Sequence, residues 1–346
     1  MYTAFFVRTR SIKLFISAFS CLILLQSGVP LNQGTTPVTV NKALFLNETT
    51  SGGFSVITYN IAGLPQLISS AVTERAGSIA EIGRKLNQYD ITHIQEDFNY
   101  NQHLYNQGNQ HPFRTRSKGG VPFGDGLSTL SKFPVTDIRR IKWNDCTGAD
   151  CLTPKGFSYS RVEIAKEVFI DFYNVHANAN NSRRAAAARC KNIQQLSTYI
   201  KKYSVGNAVF VMGDLNGHYS YSYDNINLLL EENNLSDTWL ILKGNIQLPI
   251  PLSESPSDDI LNIEENHETI DKILFRSGNR IRLLPSMYKL EKEFFKNKAG
   301  LPLSDHHPVS AEFIWTVDLE EDAGVHVTSQ DSKSDLRSKL VGVREQ

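Results

Sequence analysis

The chain has 346 residues, room for one large or two ordinary domains. It carries 36 Lys and Arg against 36 Asp and Glu, a formal net charge of zero. That balance argues against a broad basic nucleic-acid-binding surface but leaves a nuclease open, since a metal ion supplies local positive charge.

Arg8, Arg10 and Lys13 precede an apolar stretch from Leu14 to Leu25, and small and polar residues follow from Gln26 to Pro30. Basic, apolar, then small and polar is the order of a secretory signal peptide, here residues 1–30. The apolar stretch is short for a membrane span and no second one follows, so a secreted, extracellular protein is expected. Sequons at Asn47, Asn180 and Asn234 are candidate glycosylation sites. Residues 31–52, rich in Thr, Asn and Gly, read as a linker.

Phe54 to Asn60 is the first strand, ending in an amide. Glu74 to Tyr89 is a helix, with Ile79, Ile82 and Leu86 at helical spacing and Thr73 as its expected N-cap. Ile91 to Glu96 is a strand ending in an acid, and Gly126 to Leu130 is another. Cys146 and Cys151 bracket a tight loop suited to a local disulfide, and their spacing is a poor zinc site. Phe157 to Ile164 and Val168 to Val175 form a hairpin that delivers His176. The longest helix runs from Ser182 to Tyr203.

Ala208 to Met212 are five apolar residues in a row and read as a strand buried on both faces. Gly213 lets the chain bend, and Asp214 and Asn216 project from the tip, on one side if the chain stays extended. Asn225 to Asn233 is a shorter helix, 247–266 a surface excursion, and Thr269 to Phe275 a strand carrying Asp271. Within Met287 to Gly300, Tyr288, Glu291 and Phe295 fall at helical spacing. Ser304 to Pro308 precedes the last strand, Val309 to Trp315. Residues 53–317 thus make one domain, with a charged tail over 318–346. Strands and helices mix without strict βαβ alternation, which predicts a layered α/β or α+β sandwich.

The polar groups at strand ends (Asn60, Glu96, His176, Asp214, Asn216, Asp271, Asp305 and His306) form a joint pattern. Tyr59-Asn60, Gln95-Glu96, Asn174-Val-His176, Gly213-Asp-Leu-Asn216, Ile270-Asp271 and Ser304-Asp-His306 resemble, in order, the blocks of the endonuclease/exonuclease/phosphatase superfamily. The resemblance covers about Phe54 to Trp315. It implies a four-layer α/β/β/α sandwich, two packed mixed sheets flanked by helices, with the active site at one sheet edge. It also implies metal-dependent attack of water on a phosphate ester. Position by position, Glu96 matches the principal Mg²⁺ ligand, Asn60 sits beside the metal or the phosphate, and Asp305 is a second metal-proximal acid. Asp214 matches the group that activates the water, Asn216 a phosphate contact, and His306, paired with Asp271, the histidine at the scissile phosphate. His176 stands where nuclease-like members carry His. Mn²⁺ or Ca²⁺ are alternatives to Mg²⁺.

Glu74-Arg75-Ala76, Glu96-Asp97-Phe98 and Pro154-Lys155-Gly156-Phe157 are similar to blocks of the secreted sphingomyelinase and phospholipase-C-like branch. That branch implies a sphingomyelin-type phospholipid substrate at a membrane surface. Nothing in the sequence demands more than a monomer. Phe294 and Phe295 lie where bacterial sphingomyelinases place a membrane-entering hairpin; an amphipathic packed element is the competing reading. The alternatives are a secreted deoxyribonuclease-I-like endonuclease acting on nucleic acid and a catalytically inactive binding member.

Overall fold

The computed structural model describes residues 46–243, 247–257 and 259–318. The signal peptide, most of the linker and the tail beyond Asp318 lie outside the described residues.

Among the described residues, the strands form two six-stranded sheets. The first sheet contains β1 (Ser51–Asn60), β2 (Ile91–Gln95), β3 (Phe113–Arg114), β4 (Ser128–Ser131), β11 (Ile281–Leu290) and β12 (Val309–Val317), in the order β11-β12-β1-β2-β4-β3. The second contains β5 (Val135–Lys142), β6 (Gly156–Ala165), β7 (Val168–His176), β8 (Val209–Asp214), β9 (Ser236–Asp237) and β10 (Asp271–Arg276), in the order β5-β6-β7-β8-β10-β9. Each is mixed: β1 runs parallel to β2 and β7 parallel to β8, while the other pairings are antiparallel. Helices α1 (Arg75–Lys85) and α2 (Asn101–Asn106) accompany the first sheet. Helices α3 (Arg183–Tyr203), α4 (Asn227–Asn233) and the short α5 (Thr238–Leu242) accompany the second. The expected α/β/β/α sandwich is thus the observed architecture.

Period-two alternation explains the layering. Ile57 and Tyr59 of β1 pack with Ile79 and Ile82 of α1, while Phe54 and Val56 face the other sheet. Phe54, Phe210 and Phe313 meet between the sheets, with Phe210 and Phe313 edge to face at 4.7 Å. Each such buried ring contributes about 1.5–3 kcal/mol of transfer free energy. In phase with these inward residues lie Asn60, Gln95, Asn174, His176, Asp214 and Asp271, so alternation aims the strand-end polar groups into the seam between the sheets. β8 is buried along its whole length, as its apolar run predicts.

Several boundaries differ from expectation. Ser51 and Gly52, assigned to the linker, belong to β1 and pair with Thr316 and Trp315. The N-cap of α1 is Glu74, not Thr73: its carboxylate accepts from Ala76 N and Gly77 N at 2.8 and 2.6 Å. Thr73 instead donates to Pro302 O. β4 starts at Ser128 because Gly126 adopts a left-handed turn, φ +69°. Tyr288 and Phe295 do not share a helix face. Tyr288 lies in β11 and packs between the sheets, whereas Phe295 lies in a turn and packs under Tyr59 and Tyr89. Phe295 is buried and Phe294 packs beside it, so neither forms a projecting hairpin tip.

Candidate active site

β7, β8 and β10 are neighbours, and their pairing register places His176 and Asp271 on either side of Asp214. Gly213 permits that pairing, although it lies within the strand and not at a bend. A Cβ there would fall 2.0 Å from Val175 O. Across the seam, Asn60 Nδ2 donates to Asp214 Oδ2 at 3.1 Å and to Glu96 Oε1 at 3.3 Å. Its Oδ1 accepts from Ala62 N at 3.1 Å, which fixes the amide with its NH₂ group toward the site. Beneath this contact, Gln95 Nε2 donates to Thr58 Oγ1 and to Asn174 Oδ1, joining the two sheets. Asn174 in turn donates to Ile94 O and Ser128 O.

His306 enters from the loop before β12. Its Nδ1 lies 2.8 Å from Asp271 Oδ2, and its Nε2 lies 3.8 Å from Asp214 Oδ2. Burial works against a charged imidazole here, but Asp271 and Asp214 outweigh it and raise the His306 pKa to about 10. The ring is therefore an imidazolium at neutral pH, with Nδ1–H on Asp271 and Nε2–H directed into the site. Burial, reinforced by Asp271 and opposed by His306, raises Asp214 to about 6. His176, 3.5 Å from the same Asp214 oxygen, is held neutral by burial and by the charges of Lys155 and His306.

Asn216 does not continue the strand. Its φ is +50°, its N–H donates to Asp214 Oδ1, and its Nδ2 donates to Ala177 O at 3.2 Å. The side chain is thus tied to Ala177, just past β7, beside Asp214.

Glu96 sits just beyond β2 in a left-handed conformation, φ +58°, half-buried, with the Asn60 amide beside it. Burial raises its pKa, Lys155 opposes that rise, and Asp305 adds to it. Two half-buried carboxylates that repel one another are hard-oxygen donors suited to a small divalent cation. Asn60, expected beside the metal or the phosphate, turns its oxygen to Ala62 N and presents only its NH₂ group here. Asp214, Asp271 and His306 also bring ligand-capable atoms within 4.8 Å of one another. There, however, the imidazole already occupies Asp271.

Lys155 and Arg75 hold the site together, though a lone cation in a sequence looks like surface charge. Lys155 is buried against Asp150, Nζ to Oδ1 2.6 Å. Asp150 lies inside the Cys146–Cys151 loop, which is closed by the expected disulfide. It also accepts from Ala179 N, three residues past His176. Arg75 is fully buried; its guanidinium donates to Ile61 O, Ala62 O and Leu303 O, fastening the Asn60 loop to the His306 loop. Ser304 Oγ adds a 2.7 Å bond to Asn60 O. The sequon residues Asn47, Asn180 and Asn234 are all exposed. Asn180 and Asn234 adopt left-handed turns that Asn tolerates well.

The profile of Endonuclease/Exonuclease/phosphatase family 2 matches residues 59–249. A sphingomyelinase of Mycobacterium bovis is 37% identical over 278 residues, 78% of this chain and 54% of that protein. The chain therefore spans about half the length of this relative. Among solved structures, a Staphylococcus aureus beta toxin variant with bound magnesium ions has a TM-score of 0.51 at 18% identity, over 75% of this chain and 99% of that one. TDP2 of D. rerio, complexed with a single-strand DNA product, has a TM-score of 0.53 at 15% identity, over 75% and 98% of the two chains. On the profile match, the chain belongs to endonuclease/exonuclease/phosphatase family 2.

Proposed function

We propose that the chain is a secreted, Mg²⁺-dependent phosphodiesterase that hydrolyses a sphingomyelin-type phospholipid by direct attack of water. The observation that carries the reading is the convergence of Asn60, Asp214, Asp271 and His306 at one seam, with Glu96 beside them. A paired imidazolium, an acid of raised pKa and a hard-oxygen donor set are what phosphodiester hydrolysis needs. No covalent nucleophile is required. The lipid assignment draws on the 37% identity to the mycobacterial sphingomyelinase.

In this reading Asp214 Oδ2 takes the proton of the attacking water as its oxygen bonds to phosphorus. His306 Nε2–H faces the charge that builds on the phosphate oxygens and passes its proton to the leaving oxygen as that P–O bond breaks, so the alcohol departs neutral. Asp271 fixes the ring and its charge. Asn216 contacts a non-bridging oxygen, and Asn60 braces Asp214 and Glu96 through its NH₂ group. Glu96 and Asp305 would hold the cation, with Asn60 bracing Glu96; once bound, Mg²⁺ (or Mn²⁺ or Ca²⁺) neutralises phosphate charge. All these groups come from one chain, so a monomer suffices. Secretion is inferred from residues 1–30 and from the closed Cys146–Cys151 bridge, which persists in oxidising compartments.

Purified protein should be given sphingomyelin vesicles and plasmid DNA in parallel, with Mg²⁺ and with EDTA. Phosphocholine release without nicking is expected, abolished by EDTA. Nicking without phosphocholine release would replace the lipid reading by the nuclease one. Asp214→Asn and His306→Ala should each lower turnover by at least about 10²-fold. Turnover near that of the parent protein in both variants would remove the site assignment.

A further inference from the structure

Six large apolar side chains among the described residues are more than two-thirds exposed, and five of them lie on loops at the active-site edge of the sandwich. Leu67 (96%) and Val72 follow Asn60, and Phe123 (82%) precedes β4, which starts beside the end of β2. Leu152 precedes β6, which starts beside His176, and Ile250 (83%) lies on a strap bonded to the loop after β8. Only Val205 (76%) is at the opposite edge. Scattered single apolar residues need no explanation, but clustering at one edge, from both sheets, does.

Three of these tips share a second property. Residues 61–73, 119–124 and 247–252 contain no charged side chain. They are also held in shape. Ile68 N donates to Pro65 O, and Phe123 N to Gly120 O. The strap Gln247-Leu-Pro-Ile-Pro-Leu252 is pinned by Leu252 N to Ser220 O and Ser222 N to Leu252 O, both 2.8 Å. A cavity of about 600 Å³ lies between the strap and Tyr219, Tyr221 and Ile226, room for part of a hydrocarbon chain. Positive charge is near: Arg114, Arg116 and Lys118 are exposed just before the Phe123 tip, and Lys298 just before Leu301.

We propose that these three uncharged tips, centred on Leu67, Phe123 and Ile250, are a preformed membrane-docking rim that seats the active-site mouth on a phospholipid surface. The inference rests on the phospholipid reading of the site. A lipid interface suits separate apolar tips on several loops, because it takes them up without a matching groove, while adjacent cations meet the phosphate layer. The rim also takes over the membrane contact that the buried Phe295 cannot make.

The test is co-sedimentation with vesicles of sphingomyelin and phosphatidylcholine, run in EDTA so that no turnover intervenes. A soluble chromogenic phosphodiester, assayed with Mg²⁺, reports the catalytic site separately. Leu67→Ser, Phe123→Ser and Ile250→Ser combined should weaken vesicle partition by at least about tenfold, given the apolar transfer terms, and leave soluble-diester hydrolysis unchanged. Val205→Ser, equally exposed at the far edge, should bind like the parent protein. Parent-like sedimentation of the triple variant would overturn the rim, as would an equal loss in Val205→Ser. So would a parent protein that stays in the supernatant while cleaving the soluble diester. Vesicle binding that depends on the rim, without hydrolysis of either substrate, would uphold the docking surface and overturn the enzymatic reading instead.

Discussion

His306 shows how much of this site is electrostatics fixed by packing. Its folded pKa, about 10, lies above the ordinary histidine value of 6.5. The folded protein thus binds the proton more tightly than the unfolded chain. That stabilisation is complete below about pH 6.5 and is lost as pH rises toward 10. Asp214 is also raised, from 3.8 to about 6, so its contribution is complete below about pH 4 and lost as pH rises through 6. Activity should need ionised Asp214 and protonated His306, giving an acid limb near pH 6 and an alkaline limb toward 10. Asp271→Asn removes the principal charge that raises His306. The alkaline limb should then move down by at least about one pH unit, read from kcat/KM against pH on a soluble diester. An unmoved limb would mean that another group sets it. Lys155 acts in the other direction, lowering the pKa of Glu96 and Asp214. Lys155→Met should therefore move the acid limb upward.

The strands carry these residues, and their alternation decides what the sequence reveals. Asn60, His176 and Asp214 are legible because each ends an apolar run in phase with the inward-facing set, and Asp271 because it opens one, Asp271–Arg276, in the same phase. His306 is not, since it stands on a loop; only the Ser304-Asp-His306 motif singles it out. Lys155 and Arg75 are invisible for a related reason: their partners, Asp150 and the carbonyls of Ile61, Ala62 and Leu303, gain meaning only after folding. β11 escaped because Pro285 and the register shift after it interrupt the pattern, which is tolerable on an edge strand. β5 escaped because it is an edge strand with Arg139, Arg140 and Lys142 along it, a pattern that reads as loop. The close approach of β7 and β8 leads to a stability prediction. Gly213→Ala places a methyl group 2.0 Å from Val175 O, in backbone that cannot yield without parting the two strands. Thermal unfolding should show a loss of about 3 kcal/mol or more, in the range of severe core strain. A loss under about 1 kcal/mol would mean that the strands can separate cheaply.

At the scale of the molecule, two sheets are brought together with carboxylates at their shared edge, and that arrangement has a cost. Glu96 and Asp305 repel one another, and burial disfavours the charge on Glu96. A divalent cation relieves both penalties only in the folded chain, because Glu96 just past β2 and Asp305 in the loop before β12 are far apart in sequence and come together only on folding. Cation binding should therefore stabilise the fold by mass action. At one hundred times the dissociation constant the gain is about 2.7 kcal/mol, worth about 5–10 °C in Tm for a domain of this size. Differential scanning fluorimetry of the EDTA-treated protein, titrated with Mg²⁺, should show that rise without any substrate present. Glu96→Gln keeps the shape and removes the charge. It should melt at or above the parent in EDTA, since the repulsion is gone, and gain little on adding Mg²⁺. A Glu96→Gln protein that still gains the full increment would move the cation from Glu96 to the Asp214, Asp271 and His306 cluster.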